Sequence, residues 1–386
     1  MKTSFPVEKF GNIETPFYYY DVELLKETLN VALQEASKYN GFNIHYAVKA
    51  NFNPSILQII CNAGIGADCV SGGEVKAALN AGIPASKIVF AGVGKTNKEI
   101  AESLDAGIFC FNVESLPEIY AIEDLASERG VTASVAIRVN PNVAAHTHAN
   151  ITTGLAENKF GINYEQLDEV IDVIESCKHL SLIGLHFHIG SQILDMNDFV
   201  TLCNRINELQ DMLQEQRNML LPHINVGGGL GVRYDVPDEC PIPDFANYFA
   251  TYAKHLNLRE GQQLHFELGR SLVAQCGTLF SRVTYVKSGT RKKFVIVDAG
   301  MNDLLRPALY DAHHYIENVS ANVGEEIYDV VGPICESSDV FDKDIKLPIT
   351  QRGDIIAMRT AGAYGEAMSF GYNCRELPKA VLSTDL

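Results

Sequence analysis

Basic residues are scarce in this sequence, and no cluster of Lys and Arg suggests nucleic-acid binding. Its 386 residues include 48 Asp and Glu against 31 Lys and Arg, which gives a formal net charge of −17. Proteins that bind nucleic acids usually carry a basic patch that faces the phosphates. We therefore expect no nucleic-acid partner, and an anionic substrate would have to be bound by individually placed arginines.

Paired cysteine motifs are also missing. The nine cysteines are scattered along the chain and no two of them form a C-x-x-C pair. A disulfide framework or a structural zinc site would need a regular pairing of cysteines. We interpret them as reduced thiols of a cytoplasmic protein, with no metal site.

Long apolar segments are absent as well. Residues 1–10 lack the apolar core of a signal peptide, and no stretch approaches the roughly 20 apolar residues of a membrane span. With 46% hydrophobic and 20% charged residues, the composition indicates a globular chain with a large core and more than one domain. We expect a soluble, cytoplasmic protein without a membrane partner.

From residue 43 onward, predicted strands alternate with predicted helices. The strands are expected at 43–50, 66–70, 87–92, 108–113, 134–140, 181–190, 223–229 and 263–270. Eight such units over about 250 residues are typical of a (β/α)8 barrel. A doubly wound open sheet is the alternative, but no G-x-G-x-x-G follows the first strand, and we predict the α/β barrel.

A second, β-rich domain is predicted after the barrel. Strands with only short helical pieces between them are expected at 273–286, 293–298, 326–331 and 354–359. The predicted domains are the barrel at 21–272 and a β-rich domain made of 1–20 and 273–386. Residues 1–20 are assigned to the second domain because a closed barrel has no edge to receive another strand.

The stretch 43–51 delivers a lysine, Lys49, at the end of the first barrel strand. Burial among apolar neighbours disfavours the charged ammonium and favours the nucleophilic amine that a Schiff base requires. Pyridoxal phosphate is the commonest aldehyde held in this way. The alternative is a lysine whose ammonium extends into solvent at a strand end, and this segment alone leaves both open.

Polar residues and glycines follow the ends of several predicted strands. They are Lys49 (strand 1), Asp68 (strand 2), His186 and His188 (strand 6), Gly227, Gly228 and Gly229 (strand 7), and Glu267 and Arg270 (strand 8). Barrel active sites lie at the carboxyl ends of the strands, with phosphate commonly bound after strands 7 and 8. Unrelated structural roles would not gather all of these residues there, so the pattern favours a cofactor role for Lys49.

The glycine run and His188 each have two interpretations. Gly227–Gly229 could form only a tight turn, or its three N–H groups could be free to bind phosphate. His188 could be a core histidine, or its imidazole could stack on a planar ring while Ser191 reaches the phosphate. His186, one step deeper on the same strand face, is predicted to be structural.

Glu267 is a candidate contact of the cofactor ring. It could be a buried carboxylate that only pairs with Arg270. Alternatively it faces the pyridine nitrogen of a bound cofactor and keeps that nitrogen protonated, so that the ring accepts electrons.

Three motifs of the second domain carry reactive side chains. Arg306 and Tyr310 have the i, i+4 spacing of neighbours on a helix, and Cys335 and Glu336 lie in a Gly-Pro loop. Tyr364 lies among small residues. Each could be an ordinary polar loop, and spacing alone assigns no role.

Taken in order, these motifs resemble those of the fold-type III pyridoxal-phosphate decarboxylases. The matching segments are Tyr46–Asn51, His186–Gln192, Gly227–Gly231, Glu267–Arg270, Cys335–Asp339 and Gly362–Gly365. The segments 146–148, 153–161 and 301–310 resemble the members that act on diaminopimelate rather than on ornithine. Leu268 departs from the family, which usually has proline there, but Glu267 and Arg270 are kept.

The resemblance implies an alanine racemase-like barrel with a β domain, and a homodimer with active sites at its interface. Lys49 would hold pyridoxal 5'-phosphate, and Cys335, from the other subunit, would protonate the carbanion. Further cofactor contacts would be Asp68, His188, Ser191, Gly227, Gly228, Gly229, Glu267, Gly269, Arg270 and Tyr364. Substrate contacts would be Arg270, Arg306, Tyr310, Tyr364 and, from the other subunit, Glu336.

The predicted reaction is the decarboxylation of meso-2,6-diaminopimelate to L-lysine and carbon dioxide, the last step of lysine biosynthesis. Arginines such as Arg306 would bind carboxylates through two N–H groups, which suits a diacid substrate. The alternatives are a related decarboxylase of ornithine, a D-amino acid or carboxynorspermidine, and a racemase that uses Lys49 and a tyrosine. A catalytically inactive cofactor-binding regulator is a further alternative, which retention of Lys49 and Cys335 disfavours.

Overall fold

A computed structural model of the chain describes residues 5–141 and 159–386. The chain forms two compact units, which we call the barrel unit (Leu29–Gly231 and Asp244–Gly269) and the sheet unit (Met1–Thr28, Val232–Pro243 and Arg270–Leu386). The predicted domain boundaries stay a prediction beside this division. Residues 146–148 and most of 153–161, which contribute to the resemblance, lie outside the described residues.

The secondary structure of the described residues runs in the following order. The strands are β1 Phe17–Tyr20, β2 Phe42–Ala47, β3 Gly66–Cys69, β4 Ile88–Phe90, β5 Cys110–Val113, β6 Ala133–Asn140, β7 Ile162–Asn163, β8 Leu180–His186, β9 His223–Asn225, β10 Gln263–Leu268, β11 Gly277–Ser288, β12 Lys293–Val297, β13 Ile316–Asn318, β14 Glu326–Val331, β15 Val340–Leu347, β16 Ile355–Met358 and β17 Lys379–Leu382. The helices are α1 Val22–Ser37, α2 Pro54–Asn62, α3 Gly72–Asn80, α4 Asn97–Ala106, α5 Leu116–Arg129, α6 Leu167–Ser176, α7 Met196–Arg217, α8 Phe245–His255, α9 Arg270–Val273 and α10 Arg306–Tyr310.

The barrel unit contains a closed ring of parallel strands. In the described residues its order is β5-β4-β3-β2-β10-β9-β8-β6, and pairing of β5 with β6 closes the ring of eight. The two-residue strand β7 pairs with β6 outside the ring. The predicted eight-stranded barrel is therefore confirmed, and the doubly wound alternative is wrong.

Local sequence signals explain where the barrel helices begin and end. The side chain of Asn53 accepts a hydrogen bond from the backbone of Ser55 at the start of α2, where Pro54 needs no N–H partner. Thr96 and Glu99 form a capping box at the start of α4, and Gly107 ends that helix in the left-handed conformation. These signals keep the connections short, so that each helix returns the chain to a parallel strand.

The sheet unit is built on a largely antiparallel sheet in the order β13-β16-β11-β12-β14-β15. β1 pairs antiparallel with β11 and parallel with β17, so residues from both ends of the chain join one sheet. A buried cluster holds them together, consisting of Phe10, Phe17, Tyr19, Phe280, Ile355 and Ala357. Burying three or more aromatic rings of this size contributes several kcal/mol by area, at about 25 cal/mol per Å².

Several predicted strands are shorter in the structure than the sequence indicates. β2 ends at Ala47 and Lys49 lies in the 3-10 turn Val48–Ala50, so Lys49 does not continue the strand face of His45 and Ala47. β8 ends at His186, which leaves His188 in the following loop. Strand pairing stops where the backbone turns away at the end of the barrel. The apolar periodicity of the sequence does not mark this residue.

Helices of the barrel unit are amphipathic rather than uniformly apolar. The longest, α7, has 22 residues and buries one face that includes Phe199, Leu202 and Ile206. In the two described ranges, no helix combines the length and apolarity needed to cross a membrane. The cytoplasmic location stays a prediction.

Candidate active site

Lys49 and Asp68 lie together at the carboxyl end of the barrel, which we call the rim. Lys49 Nζ is 3.8 Å from Asp68 Oδ2, and the side chain of Lys49 is 38% exposed whereas that of Asp68 is 1% exposed. The other carboxyl oxygen, Oδ1, has no hydrogen-bond partner among the described residues. Burial and the nearby Glu267 raise the pKa of Asp68 well above its usual value, against the opposing effect of Lys49. A solvent-accessible amine thus stands beside a buried carboxyl group.

Glu267 is held by three donors from other strands of the barrel. Its Oε1 accepts from Asn112 Nδ2 at 3.2 Å and from Asn225 Nδ2 at 2.8 Å. Its Oε2 accepts from His186 Nε2 at 3.0 Å. Burial acts to raise the pKa of Glu267, but His186 and the positive charge of Lys49 outweigh burial and lower it. The side chain is therefore an ionised carboxylate with a fixed orientation.

Sequence reasoning missed the roles of these three donors. His186 was predicted to be structural, and Asn112 and Asn225 were not singled out. Each of the three lies at or next to the last residue of its strand, in β8, β5 and β9. A search for every polar side chain at a strand end would have found them, since barrel active sites collect such residues.

His188 is a neutral imidazole on the loop after β8. Burial, Lys49 and Arg138 lower its pKa well below the usual value. Its Nδ1 accepts a long hydrogen bond, 3.5 Å, from the N–H of Gly228. A neutral ring in this place is suited to stacking on a planar aromatic group, which was one of its two predicted roles.

The glycine run after β9 has fewer free N–H groups than predicted. Gly227 N–H donates to Asn225 Oδ1 at 2.9 Å and Gly228 N–H donates to His188, so the expectation of three free groups is wrong. The N–H of Gly229 has no recorded partner within the described ranges and is available to an anion. A Cβ atom on Gly228 would lie 2.1 Å from the carbonyl oxygen of Glu267, which explains the glycine by close backbone approach.

Backbone hydrogen bonds join the loop that carries Ser191 to the glycine loop. Ile193 N–H donates to the carbonyl of Gly229, and Gly231 N–H donates to the carbonyl of Ile193, both at 2.8 Å. Gly269 follows β10, where a Cβ atom would lie 3.0 Å from Ala47 Cβ. The loops after β8 and β9 are thereby joined at the rim, and the residue that follows β10 packs against the end of β2.

Two buried ion pairs lie in the same barrel and were not predicted. Arg138 Nη1 donates to Glu114 Oε1 at 2.9 Å, and Lys95 Nζ donates to Glu118 Oε1 at 2.6 Å. Burial raises the pKa of Glu118, and Lys95 opposes that shift. These pairs join β6, α5 and the loop after β4.

The sheet unit contains a separate cluster of buried arginines and aromatic rings. Arg270 Nη1 donates to the hydroxyl of Tyr234 at 2.7 Å, and its guanidinium lies 4.8 Å from the ring centre of Tyr364. Arg306 Nη1 donates to His314 Nε2 at 2.7 Å and lies 4.5 Å from the ring centre of Tyr234. We call these five residues the arginine cluster. Tyr234 and His314 were not predicted, because neither belongs to a motif.

Arg306 is a buried cation without a carboxylate partner in the described part of the chain. It is 5% exposed, and its recorded partners are the neutral ring of Tyr234 and an imidazole nitrogen. Burial lowers its pKa, with Arg270 acting in the same direction. An isolated charge in a protein interior is costly, so this arrangement favours binding of an anion.

The other predicted residues of the sheet unit lie on its surface or at helix ends. Arg306 and Tyr310 are the first and last residues of α10. Cys335 and Glu336 are exposed, and the hydroxyl of Tyr372 donates to Glu336 Oε1 at 2.7 Å. Tyr372 was not predicted. The roles assigned to these residues stay proposals.

A barrel with a lysine at its rim, together with a domain that carries arginines, defines a class of cofactor-dependent enzymes. Residues 26–274 match the family model described as the pyridoxal-binding domain of pyridoxal-dependent decarboxylases. The chain belongs to the family of pyridoxal-dependent decarboxylases. The predicted resemblance and the predicted cofactor are both confirmed.

Within that family the similarity to diaminopimelate decarboxylases covers the whole chain. The diaminopimelate decarboxylase of Bacteroides thetaiotaomicron is 62% identical over 386 residues, which is 100% of both chains. The solved structure of the Helicobacter pylori diaminopimelate decarboxylase with L-lysine is 40% identical, with a TM-score of 0.90 over 97% of this chain and 93% of that one. A lysine/ornithine decarboxylase from Vibrio vulnificus, complexed with putrescine, has a TM-score of 0.84 over 98% and 97%. At 20% identity that likeness shows the fold alone.

The chemistry of the rim fits pyridoxal phosphate. The barrel unit offers an accessible lysine amine, a neutral imidazole and an ionised carboxylate, at Lys49, His188 and Glu267. The N–H of Gly229 is a donor for a phosphate oxygen. These are the groups that an aldehyde, a planar ring, a protonated ring nitrogen and a phosphate require.

Proposed function

We propose that the chain is a carboxy-lyase that converts meso-2,6-diaminopimelate and a proton to L-lysine and carbon dioxide. The observation that carries the substrate class is the buried Arg306, which has no carboxylate partner among the described residues and can therefore bind a second carboxylate of the substrate. Family membership supports the decarboxylation, and identity of 62% over the full length supports the particular substrate.

Lys49, His188 and the loop residues Ser191 and Gly227–Gly229 would hold the cofactor. The Lys49 amine would hold its aldehyde carbon, the His188 imidazole would face its ring, and the Gly229 N–H would donate to its phosphate. Asp68, Gly269, Arg270 and Tyr364 are the further proposed contacts. When bound, pyridoxal phosphate supplies an electron sink for the pair of electrons left by departing carbon dioxide.

Glu267 would keep a proton on the ring nitrogen, because its carboxylate remains ionised and points in a fixed direction. His186, Asn112 and Asn225 hold that direction through their three hydrogen bonds. They act on the reaction through Glu267, so we propose them as positioning residues.

A thiol completes the reaction. Cys335 Sγ gives its proton to the substrate carbon that has lost its carboxylate, and the thiol regains a proton from solvent after product release. Cys335 is exposed in the single chain, which fits a residue that acts in a neighbouring subunit. We therefore propose a homodimer in which Cys335 and Glu336 serve the partner's site.

Arg270, Arg306, Tyr310 and Tyr364 would bind the carboxylate that the product retains. A guanidinium donates two parallel N–H groups to one carboxylate, which favours a diacid over ornithine or a polyamine. Glu336 offers an opposite charge for the distal ammonium of the substrate. A D-amino acid or ornithine would leave at least one of these charged groups without a partner.

A substrate panel tests the proposal. The holoenzyme is incubated with meso-diaminopimelate, L-ornithine, D-lysine or carboxynorspermidine, and carbon dioxide and amine products are measured. We expect L-lysine and carbon dioxide from meso-diaminopimelate only. If carbon dioxide were released from another compound and not from meso-diaminopimelate, the chain would be a related decarboxylase instead.

Lys49→Ala provides the second arm of that test. The variant should lose the visible absorbance of the bound cofactor and carbon dioxide release together, since both depend on the amine that would hold the cofactor's aldehyde. Lys87→Ala, which removes an exposed amine bonded to the Gly64 carbonyl at the other end of the barrel, is the matched control. Carbon dioxide release that is undiminished in Lys49→Ala would contradict the proposed role.

A further inference from the structure

His314 and Arg306 form a buried hydrogen bond inside the sheet unit. Arg306 Nη1 donates to His314 Nε2 at 2.7 Å, and His314 Nδ1 donates to the backbone carbonyl of Arg359 at 2.9 Å. Arg306 is 5% exposed and His314 is 1% exposed. Each imidazole nitrogen therefore has one fixed role, Nδ1 as a donor and Nε2 as an acceptor.

The imidazole must stay neutral for this contact to exist. A protonated ring would place an N–H group of His314 against the N–H of a guanidinium. Burial and the charge of Arg306 lower the pKa of His314 well below its usual value, so the acceptor is present at neutral pH.

An aromatic ring also packs against the Arg306 guanidinium. The ring centre of Tyr234 lies 4.5 Å from the guanidinium carbon of Arg306. The rings of Tyr234 and His314 pack edge to face, with centres 5.1 Å apart and an interplanar angle of 77°. Arg306 thus has two contacts that restrain its guanidinium, a hydrogen bond to His314 and a position over the ring of Tyr234.

One edge of the guanidinium is left for a ligand. Nη1 is used by His314, whereas Nε is buried and without a hydrogen-bond partner in the described ranges. A carboxylate binds a guanidinium through two parallel N–H groups on one edge. The edge formed by Nε and Nη2 contains this unpaired donor, and it is therefore the edge that a carboxylate would bind.

We infer that His314 is a positioning residue that turns Arg306 so that its Nε and Nη2 edge binds the carboxylate retained in L-lysine. This inference rests on the proposed function, because it assigns the orientation of a group that the proposed substrate needs. His314 does not touch the substrate. Through Arg306, His314 makes the enzyme prefer a ligand that carries the retained carboxylate. A diamine of the same length that lacks this carboxylate would bind more weakly.

The test compares two ligands on three variants of the holoenzyme. L-Lysine carries the retained carboxylate, and 1,5-diaminopentane is the same chain without it. Inhibition constants for both ligands, KM and kcat are measured for His314→Leu, which removes the acceptor, and His314→Gln, whose amide oxygen can replace Nε2. The matched control is His313→Leu, which removes an adjacent, exposed imidazole paired with Asp342 at 2.9 Å.

We expect His314→Leu to raise both the inhibition constant of L-lysine and KM by about tenfold or more. This is the usual effect of losing a hydrogen bond to a charged group. Inhibition by 1,5-diaminopentane should change less than about twofold, His314→Gln should recover most of the loss, and His313→Leu should match the wild type. A variant whose structure is generally disrupted would bind both ligands more weakly, and by the same factor.

Two results would overturn the inference. One is an equal rise of the two inhibition constants in His314→Leu. The other is a His314→Gln variant that binds L-lysine no more tightly than His314→Leu does. Failure of the proposed function gives a different result, since the wild type would then release no carbon dioxide from meso-diaminopimelate. If the wild type also failed to bind L-lysine more tightly than 1,5-diaminopentane, the inference would fail with it.

Discussion

At the scale of single residues, the chemistry depends on how neighbours set the charge of each reactive group. Glu267 and Asp68 are both buried carboxyl groups in the barrel unit, yet their pKa values shift in opposite directions. Glu267 has three donors, whereas Asp68 has an oxygen with no partner within the described residues and a lysine at 3.8 Å. Both groups are buried, so burial alone does not decide which carboxylate is ionised; the charge and hydrogen bond of His186 lower the pKa of Glu267, whereas the negative charge of Glu267 adds to the effect of burial at Asp68.

This difference gives a prediction for Glu267→Gln. A neutral amide cannot keep a proton on the ring nitrogen, so kcat for carbon dioxide release should fall on the order of 10²-fold or more, as when one electrostatic group of an active site is removed. The unfolding midpoint should fall as well, because the amide oxygen can still accept from Asn112 and Asn225 but the amide NH2 group would face the His186 donor; kcat is therefore measured on the folded protein. Stopped-time carbon dioxide assays and urea unfolding measure the two effects.

Glu118→Gln is the matched control for a buried carboxylate. It breaks the ion pair with Lys95 and should lower the unfolding midpoint, while kcat of the folded protein is retained. If Glu267→Gln kept its kcat, the proposed contact with the ring nitrogen would be ruled out.

At the scale of elements, a chain of three histidines joins strands at the amino end of the barrel, opposite the rim. His45 Nδ1 donates to the carbonyl of Lys87, and His45 Nε2 then accepts from His265 Nδ1 at 2.9 Å. His265 Nε2 accepts in turn from His223 Nδ1 at 2.9 Å. The three side chains line a cavity of about 360 Å³ and link β2, β10 and β9.

The histidine chain predicts a loss of stability in acid. Burial lowers the pKa of His45, His223 and His265 in the fold, for His265 to about 2. Above the unfolded pKa of about 6.5 neither state takes up these protons, so their contribution to stability is fully present. As the pH falls below that value the unfolded chain binds protons that the folded chain excludes, and for His265 this costs about 1.4 kcal/mol per pH unit once the pH is well below 6.5.

The measurement is urea unfolding of the wild type and His265→Gln at pH 7.5, 6.5 and 5.5. The free energy of unfolding should fall less steeply with decreasing pH in His265→Gln, by about 1 kcal/mol between pH 6.5 and 5.5. The variant is also less stable at every pH, because glutamine cannot reproduce both ring contacts, so the slopes are compared. Equal slopes would show that His265 does not carry this dependence.

At the scale of the whole molecule, the proposed homodimer has a direct consequence. Lys49→Ala and Cys335→Ala should each be inactive alone. If Cys335 serves the partner's site, a heterodimer of the two variants contains one site with both wild-type residues. Random exchange makes about half of the dimers heterodimers, so mixing should restore about a quarter of the wild-type activity.

Co-expression with two affinity tags isolates the heterodimer, and carbon dioxide release is then measured against each variant alone. A heterodimer as inactive as its parents would place Cys335 in the site of its own chain. The proposal of an exposed Cys335 acting across an interface would then be wrong, and the decarboxylation itself would be unaffected.

The sequence by itself determined the barrel and the place of its reactive residues. Alternation of eight apolar strands with capped helices specifies a closed parallel ring, and position at a strand end specifies the rim. Lys49, Asp68 and Glu267 were predicted there because strand periodicity is local and survives in a single sequence. Strand ends were less accurate, since pairing stops where the tertiary fold turns the chain.

Only the tertiary structure decided which groups surround each reactive residue. Glu267 accepts hydrogen bonds from Asn112 and His186, which lie 155 and 81 positions away in the chain. Arg270 donates to Tyr234, which lies 36 positions away. Sequence periodicity cannot predict contacts between residues so far apart, because packing of strands and loops brings these residues together. Charge state and side-chain orientation, and hence the chemistry, follow from those distant contacts.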